Sequence, residues 1–241
     1  ETATGLWGGI VILGKAPINK CSNDLRGTAD CEKLVEGATN ALMGGATPDD
    51  NSGTLRFVRV EYAGYEVFPG NELNGITFGA VGSGTTVDYV QVHNNADDCV
   101  EFFGGTVNVK HLVCTNAGDD NIDVDWGYTG KLQYVVIKQA SGSGDHIVES
   151  DNTDADPNVG WLTTPRSTPK VANFTFISSG QDEILKFKEG VSGIYMNGVI
   201  VSNGSKGCVE HTNAETLQDA PGFDKLAHHS IFMDCGSGAV F

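Results

Sequence analysis

Carboxylates are concentrated in one short stretch of the chain. Residues 116–127 read NAGDDNIDVDWG and hold four aspartates: Asp119, Asp120, Asp123 and Asp125. Such a density suits three kinds of chemistry. These are attack on a glycosidic bond by a pair of carboxylates, coordination of a hard cation, and capping of backbone N–H groups in turns. The surrounding sequence decides among them.

A calcium site is one interpretation of the carboxylates. A related stretch, NNADDCVEFFGG, precedes the first at 94–105, and the two together supply enough oxygen ligands for Ca²⁺. The candidate ligands are Asp97, Glu101, Asp119, Asp123 and Asp125. The sequence contains neither an EF-hand spacing nor a nonapeptide calcium repeat. Because of its ligand types alone, the stretch keeps Ca²⁺ as a candidate ligand, and no other cofactor is indicated.

A carbohydrate-active enzyme is the alternative interpretation. Its catalytic residues would come from Asp123, Asp125, Glu149, Lys186 and His211, of which the last three form a candidate lyase pocket. Lysine, histidine and carboxylate side chains can act as general acids and bases. An ordinary ion pair between neighbouring strands is the more frequent arrangement for such residues.

Two aromatic residues directly follow the aspartates. Trp126 and Tyr128 form a candidate carbohydrate-binding platform, because an aromatic ring offers a flat apolar face with a polar edge. The alternative is that both rings fill a corner of the fold.

An internal repeat determines how these residues are positioned. Segments such as VDYVQVHN, VKHLVCTN and LQYVVIKQ alternate with period 2 and predict β-strands. A polar turn and a second apolar strand follow each segment. One turn column reads Asn74, Asp98, Asp120, Asp145 and Asp182, types that cap turns through their side chains. Their recurrence favours a scaffold role for these aspartates over a catalytic one.

The spacing of the repeat defines the fold class. Asn74 to Asp98 spans 24 residues and Asp98 to Asp120 spans 22. Rungs of about 22–25 residues with insertions confined to turns predict an all-β, right-handed parallel β-helix. A β-sandwich would also alternate, but it would not need the same residue type at the same place in each copy. Stacking predicts that Glu101 lies beside Asp123, and Asp98 beside Asp120.

One β-helix domain is predicted over residues 1–241. Residues 15–53 carry no clear rung and form an N-terminal excursion, in which CEKLVEGATNALMGG predicts a short helix. Residues 151–169 and 212–225 are predicted loop insertions. The last rung has no polar cap in the sequence, so we expect the domain to stack end to end on another copy or on further domains of the same chain.

Composition limits the partners of the protein. The formal net charge is −16, which repels nucleic acid and anionic membranes. The longest apolar run, GGIVILG, is far shorter than the roughly 20 residues that span a bilayer. Polysaccharide remains a candidate partner. Among six cysteines, Cys21 and Cys31 bracket a polar loop and predict a local disulfide, with free thiols as the alternative. A disulfide would indicate an oxidising compartment.

Several motifs in order resemble a known family. They include WGGIVILGKAPIN, DNSGTLRFVRVEYAG, DDNIDVDWGYTGKLQYVVIKQ and TPRSTPKVANFTF. The chain resembles secreted bacterial proteins described as pectin-lyase-like, right-handed parallel β-helices, which lipoproteins and large surface proteins carry. The resemblance implies the fold and an extracellular location, on the bacterial cell surface. Cys99 and Cys208 depart from it, since a small glycine is expected at both positions.

The sequence therefore predicts a non-catalytic extracellular module. Its expected role is that of a cell-surface, adhesive or filament-forming scaffold, with Ca²⁺ as a candidate ligand. The alternative is a polysaccharide lyase or glycoside hydrolase. The HG and RIK motifs of pectin-degrading hydrolases are absent from the sequence, which favours the scaffold.

Overall fold

Two long parallel sheets make up most of the molecule. A computed structural model describes residues 3–153, 160–218 and 226–240. Its strands are β1 Ile10–Leu13, β2 Lys33–Leu34, β3 Leu42–Met43, β4 Thr54–Glu61, β5 Glu66–Phe68, β6 Asn71–Glu72, β7 Ile76–Gly79, β8 Thr86–His93, β9 Val100–Phe103, β10 Asn108–Thr115, β11 Ile122–Asp125, β12 Lys131–Lys138, β13 Val148–Ser150, β14 Lys170–Ser178, β15 Leu185–Phe187, β16 Ile194–Ser202, β17 Val209–His211 and β18 Ala227–Asp234. The described helix is one 3₁₀ turn, Ala214–Leu217.

The strands alternate between the two sheets along the chain. Sheet 1 has the order β1-β7-β9-β11-β13-β15-β17, and sheet 2 has the order β4-β8-β10-β12-β14-β16-β18. One strand from each sheet, with the connecting turns, makes one rung. All these pairings are parallel, so the fold is the predicted parallel β-helix, with the right-handed sense of parallel crossovers.

The core lies between the two sheets. In sheet 1 an inward column runs through β1, β7, β9, β11, β13, β15 and β17; its members are Ile10, Ile76, Val100, Ile122, Val148, Leu185 and Val209. Two residues further on, aromatic rings stack between rungs. Phe102 lies 5.1 Å from Phe78, ring centre to ring centre. In the next rung the column continues with Val124, and the ring of Tyr128, which follows β11, lies 4.5 Å from Phe102. Apolar and aromatic side chains therefore fill the interior rung by rung.

The strands of sheet 2 bend at one column of residues. Each of its seven strands contains a non-glycine residue with φ between 51° and 62°: Phe57, Tyr89, His111, Tyr134, Asn173, Asn197 and Ser230. The left-handed conformation turns the chain there. Four of these side chains stack on one another along the outer surface, with ring centres 4.1–5.1 Å apart. The period-2 pattern predicted the strands, but not this bend.

The N-terminal segment corrects one prediction. The short helix expected in 31–45 is wrong, because β2 pairs antiparallel with β3. Leu34 and Leu42, which such a helix would bury on its apolar face, are 46% and 49% exposed. Val35 and Met43 instead enter a small apolar cluster with Ile18. The segment packs as a loop against the side of the β-helix. Because a β-strand directs alternate side chains to opposite faces, the antiparallel pair buries Val35 and Met43 and leaves Leu34 and Leu42 outside.

All six cysteines are paired. The predicted Cys21–Cys31 disulfide is present, and two more bonds join Cys99 to Cys114 and Cys208 to Cys235. Cys99 and Cys208 thus replace the expected glycines with covalent links from a turn of sheet 1 to sheet 2: Cys114 lies in β10, and Cys235 directly follows β18.

In two rungs, the residue that occupies the turn column lies one position later in the sequence than predicted. Val148 pairs with Ile122, and Leu185 pairs with Val148. Asp98 and Asp120 are therefore followed by His146 and Glu183, and the assignment of Asp145 and Asp182 to the column is wrong. The prediction assumed turns of equal length, whereas the turn before His146 is one residue longer. Residues 154–159 and 219–225 of the two predicted insertions lie outside the described residues.

Candidate functional site

Outward-facing carboxylates occupy adjacent strands of sheet 1. Glu101 in β9, Asp123 in β11 and Glu149 in β13 are register partners. We call these three, with the turn residues Asp97, Asp98, Asp119 and Asp120, the acidic ladder. Parallel strands lie about 4.8 Å apart, so the fold holds these carboxylates close together although like charges repel one another.

Two turn carboxylates of the ladder have a scaffold role. Asp98 Oδ1 accepts a hydrogen bond from the backbone N–H of Asp120 at 2.9 Å. Asp120 Oδ1 accepts one from the N–H of His146 at 2.7 Å. Each side chain thus joins one turn to the next, as predicted for aspartates in this column.

The centre of the ladder is a set of three carboxylates. One oxygen from each of Asp98, Glu101 and Asp123 lies within 4.8 Å of the others. Burial raises the pKa of all three well above the usual range, and neighbouring carboxylates raise it further. Without a cation, these groups must therefore hold protons or repel one another.

Two buried oxygens at this centre have no partner. Asp123 Oδ1 is buried and makes no hydrogen bond within the described residues. Asn74 is 2% exposed, and its Oδ1 is likewise unpaired, while its Nδ2 donates to Glu101 Oε2 and Thr77 Oγ1. The amide orientation of an asparagine follows from its surroundings. A cation would favour the reverse orientation, with Oδ1 facing Glu101.

The predicted calcium ligands divide into separate groups. Asp97 and Asp119 group with Asp98, and burial raises the pKa of Asp97 to about 7. Glu101 and Asp123 also group with Asp98. Asp98 thus joins the two groups, yet the sequence assigned it to a turn alone. The repeat could have revealed it, since a residue can cap a turn with one oxygen and offer the other.

Asp125 lies apart from the other predicted ligands. Its Oδ1 accepts a hydrogen bond from the N–H of Trp126 at 2.6 Å. It also lines a cleft of about 510 Å³ between sheet 1 and the N-terminal segment. The lining combines aromatic, acidic and amide groups: Glu36, Phe68, Asn71, Glu101, Phe103, Asp125 and Trp126.

The two predicted carbohydrate-binding aromatics have different surroundings. Trp126 borders the cleft, with Phe103 4.9 Å away and the Lys20 ammonium 5.4 Å from its ring centre. Tyr128 is fully buried, and its hydroxyl donates to the carbonyl of Val107 at 2.8 Å. Its assignment to a sugar platform is wrong, because left-handed residues at 126 and 127 turn the chain and direct it inward.

The predicted lyase pocket does not assemble. Lys186 Nζ lies 3.0 Å from Glu149 Oε1, and Lys188 Nζ lies 2.8 Å from Glu149 Oε2. His211 occupies the inward column of sheet 1, 5.7 Å from the Phe187 ring. Lys186 and His211 thus face opposite sides of the sheet because they occupy positions of opposite parity.

The lysines beside Glu149 are unsuited to act as bases. Although burial opposes it, the contacts with Glu149 raise the pKa of Lys186. Burial also opposes the charge on Lys188, but Asp151 and Glu149 hold its pKa above the usual range. Both side chains therefore stay protonated near neutral pH. They form ion pairs with Glu149 between neighbouring strands, the alternative to a lyase pocket.

Fold and surface together define the class of protein: a parallel β-helix with an acidic ladder on one sheet. The chain belongs to the family of pectate-lyase-like β-helix domains, whose model matches residues 1–233. No curated protein and no solved structure matches the chain. Among the described residues, no helix is long and apolar enough to cross a bilayer.

Proposed function

We propose that this protein is a non-catalytic extracellular module that binds Ca²⁺ at the acidic ladder and carbohydrate in the adjacent cleft. The observation that carries the proposal is the set Asp98, Glu101 and Asp123, with unpaired buried oxygens on Asp123 and Asn74. Three disulfides support an oxidising location such as the bacterial cell surface. Self-association and linkage to further domains stay predictions.

Calcium fits this centre because of its ligand types. Ca²⁺ takes six to eight oxygens, and carboxylates, amide carbonyls and water supply them. Asp98, Glu101 and Asp123 would provide negative charge, and the Asn74 amide would provide a neutral oxygen. The cation would replace the protons that the raised pKa values require.

Calorimetry on the EDTA-stripped protein tests the calcium site. We expect one equivalent of Ca²⁺ to bind with a Kd on the order of 10⁻⁴–10⁻³ M, the range of extracellular modules. Asp123→Asn should weaken binding about tenfold or more, a loss of about 1.4 kcal/mol. Glu210→Gln is the matched control, since Glu210 lies in the same outward column of sheet 1 at β17. Equal loss in both variants, or none in either, would contradict the site.

Carbohydrate binding is expected in the cleft. Sugars offer C–H faces to aromatic rings and hydroxyls to carboxylates and amides, and the cleft presents both kinds of group. Trp126→Ala should weaken binding to a neutral polysaccharide several-fold, through loss of about 0.5–1.5 kcal/mol of ring stacking. Affinity electrophoresis on a polysaccharide panel measures this effect. Phe232→Ala removes an exposed ring on sheet 2 and should leave binding intact.

A carbohydrate-active enzyme is the second candidate. The cleft favours it, because Glu101 and Asp125 both line the same cavity. Reducing ends and the absorbance of unsaturated products should stay at background for the protein. Turnover that disappears in Asp125→Asn would replace the scaffold proposal with the enzyme.

A further inference from the structure

A buried histidine with a separate group of acidic neighbours lies further along the turns of sheet 1. We propose that His146, Asp145, Asp182 and Glu183 form a second metal site, which takes a transition-metal ion such as Zn²⁺. Its ligands differ from those of the proposed calcium site, which are Asp98, Glu101 and Asp123.

The acidic side chains surround the imidazole. Asp145 Oδ2 is 3.5 Å from the ring nitrogen Nδ1, and the Asp145 carboxyl is hydrogen-bonded to Asp182. Ligand atoms of His146, Asp182 and Glu183 lie within 4.8 Å of one another. The one-residue shift in register creates this arrangement, because it places His146 and Glu183 in the turn column and leaves Asp145 and Asp182 immediately before them.

The imidazole is held in an orientation suited to a metal. His146 is 2% exposed, and its Nδ1 lies 3.1 Å from Asp120 Oδ1. A carboxylate only accepts hydrogen bonds, so Nδ1 is the donor to Asp120, and Nε2 is the nitrogen that a metal would take in place of a proton. Within the described residues, Nε2 makes no hydrogen bond. A carboxylate behind a metal-binding histidine commonly fixes the ring in this way, which gives Asp120 a positioning role.

The donor set selects the class of metal. Calcium prefers oxygen ligands alone, whereas imidazole nitrogen suits Zn²⁺ and related ions. One nitrogen with carboxylate oxygens can complete a four-coordinate Zn²⁺ site.

One lysine neutralises part of the negative charge of these carboxylates. Lys206 Nζ lies 3.2 Å from Asp182 Oδ1, and its side chain is 47% exposed. Lys206 Nζ also lies 3.9 Å from Glu183 Oε1. A bound metal would take the place of the lysine ammonium, and the flexible lysine side chain can move into solvent.

Zinc titration of the EDTA-stripped protein in excess Ca²⁺ tests the proposal. We expect one equivalent of Zn²⁺ to bind, and Co²⁺ to give visible absorption bands at the same stoichiometry. His146→Ala should abolish both signals. Asp182→Asn with Glu183→Gln alters partly exposed side chains and should abolish them while the circular dichroism of the fold is retained.

The positioning residue and the control make the test specific. Asp120→Asn keeps an oxygen acceptor for the turn and should lower Zn²⁺ affinity about 10- to 100-fold. His229→Ala, at an exposed position in β18, should change nothing. Asp123→Asn should leave Zn²⁺ binding intact, which separates this site from the calcium site. The absence of Zn²⁺ binding by the unaltered protein, or equal binding by His146→Ala, would overturn the proposal.

Discussion

In EDTA, the free energy of unfolding should fall as the pH rises from about 4 to about 8. Burial raises the pKa of Asp120 from 3.8 to about 6 and that of Asp97 to about 7. A carboxyl with a raised folded-state pKa binds its proton more tightly in the folded protein. Its stabilising effect is complete below pH 4 and is lost as the pH rises through the folded-state value.

The size of this effect follows from the shifts. For Asp120, which is 5% exposed, the change corresponds to roughly 3 kcal/mol, at about 1.4 kcal/mol per unit. His228 acts in the opposite direction, since burial lowers its pKa to about 4 and stability then rises between pH 4 and 6.5. The carboxylates outnumber it, so the net slope is negative.

Urea denaturation at pH 4, 6 and 8 measures the slope. Ca²⁺ added at pH 8, at about 100 times its Kd, should restore about 2.7 kcal/mol, because it binds the folded protein and not the unfolded chain. Asp123→Asn should flatten the profile, since the amide has no charge to bury. A profile in EDTA that rises throughout this range would show that the ladder carboxylates are ionised at no cost.

The second large effect is expected in the stacked core. Phe102→Ala should lower the free energy of unfolding by about 3–5 kcal/mol, the usual cost of truncating a buried aromatic side chain. Phe102 is fully buried between Phe78 and Tyr128, and the rungs on either side prevent the cavity from closing. The urea midpoint measures the loss.

An exposed phenylalanine provides the control for that change. Phe232 is 63% exposed in β18, and Phe232→Ala should shift the midpoint only slightly. A loss below about 1 kcal/mol for Phe102→Ala would mean that neighbouring rings refill the space, since large-to-small costs depend on how far a site can collapse.

The sequence predicts the features that recur in every rung. Inward residues such as Ile122 and Val100 recur because each rung fills the same interior, and the neighbours Glu101 and Asp123 follow from stacking. The Cys21–Cys31 disulfide is also confirmed. These features depend on residue type and spacing alone.

Other features depend on geometry that residue type does not reveal. A single extra residue in one turn moves His146 into the column expected for Asp145, and no periodic pattern detects such a shift. Tyr128 faces inward because of two left-handed residues before it. His211 separates from Lys186 by the parity of its strand position. Periodicity thus predicts the repeating interior, while irregular turns determine which side chains meet.

The column of left-handed residues in sheet 2 also has a consequence for protein engineering. Its seven positions hold Phe, Tyr, His, Asn and Ser, so the bend accepts chemically unrelated side chains while adjacent residues retain the core. The positions follow one another at about 4.8 Å along the molecule. Substitutions at these positions could therefore present a chosen row of side chains at fixed intervals on the surface, without repacking the interior.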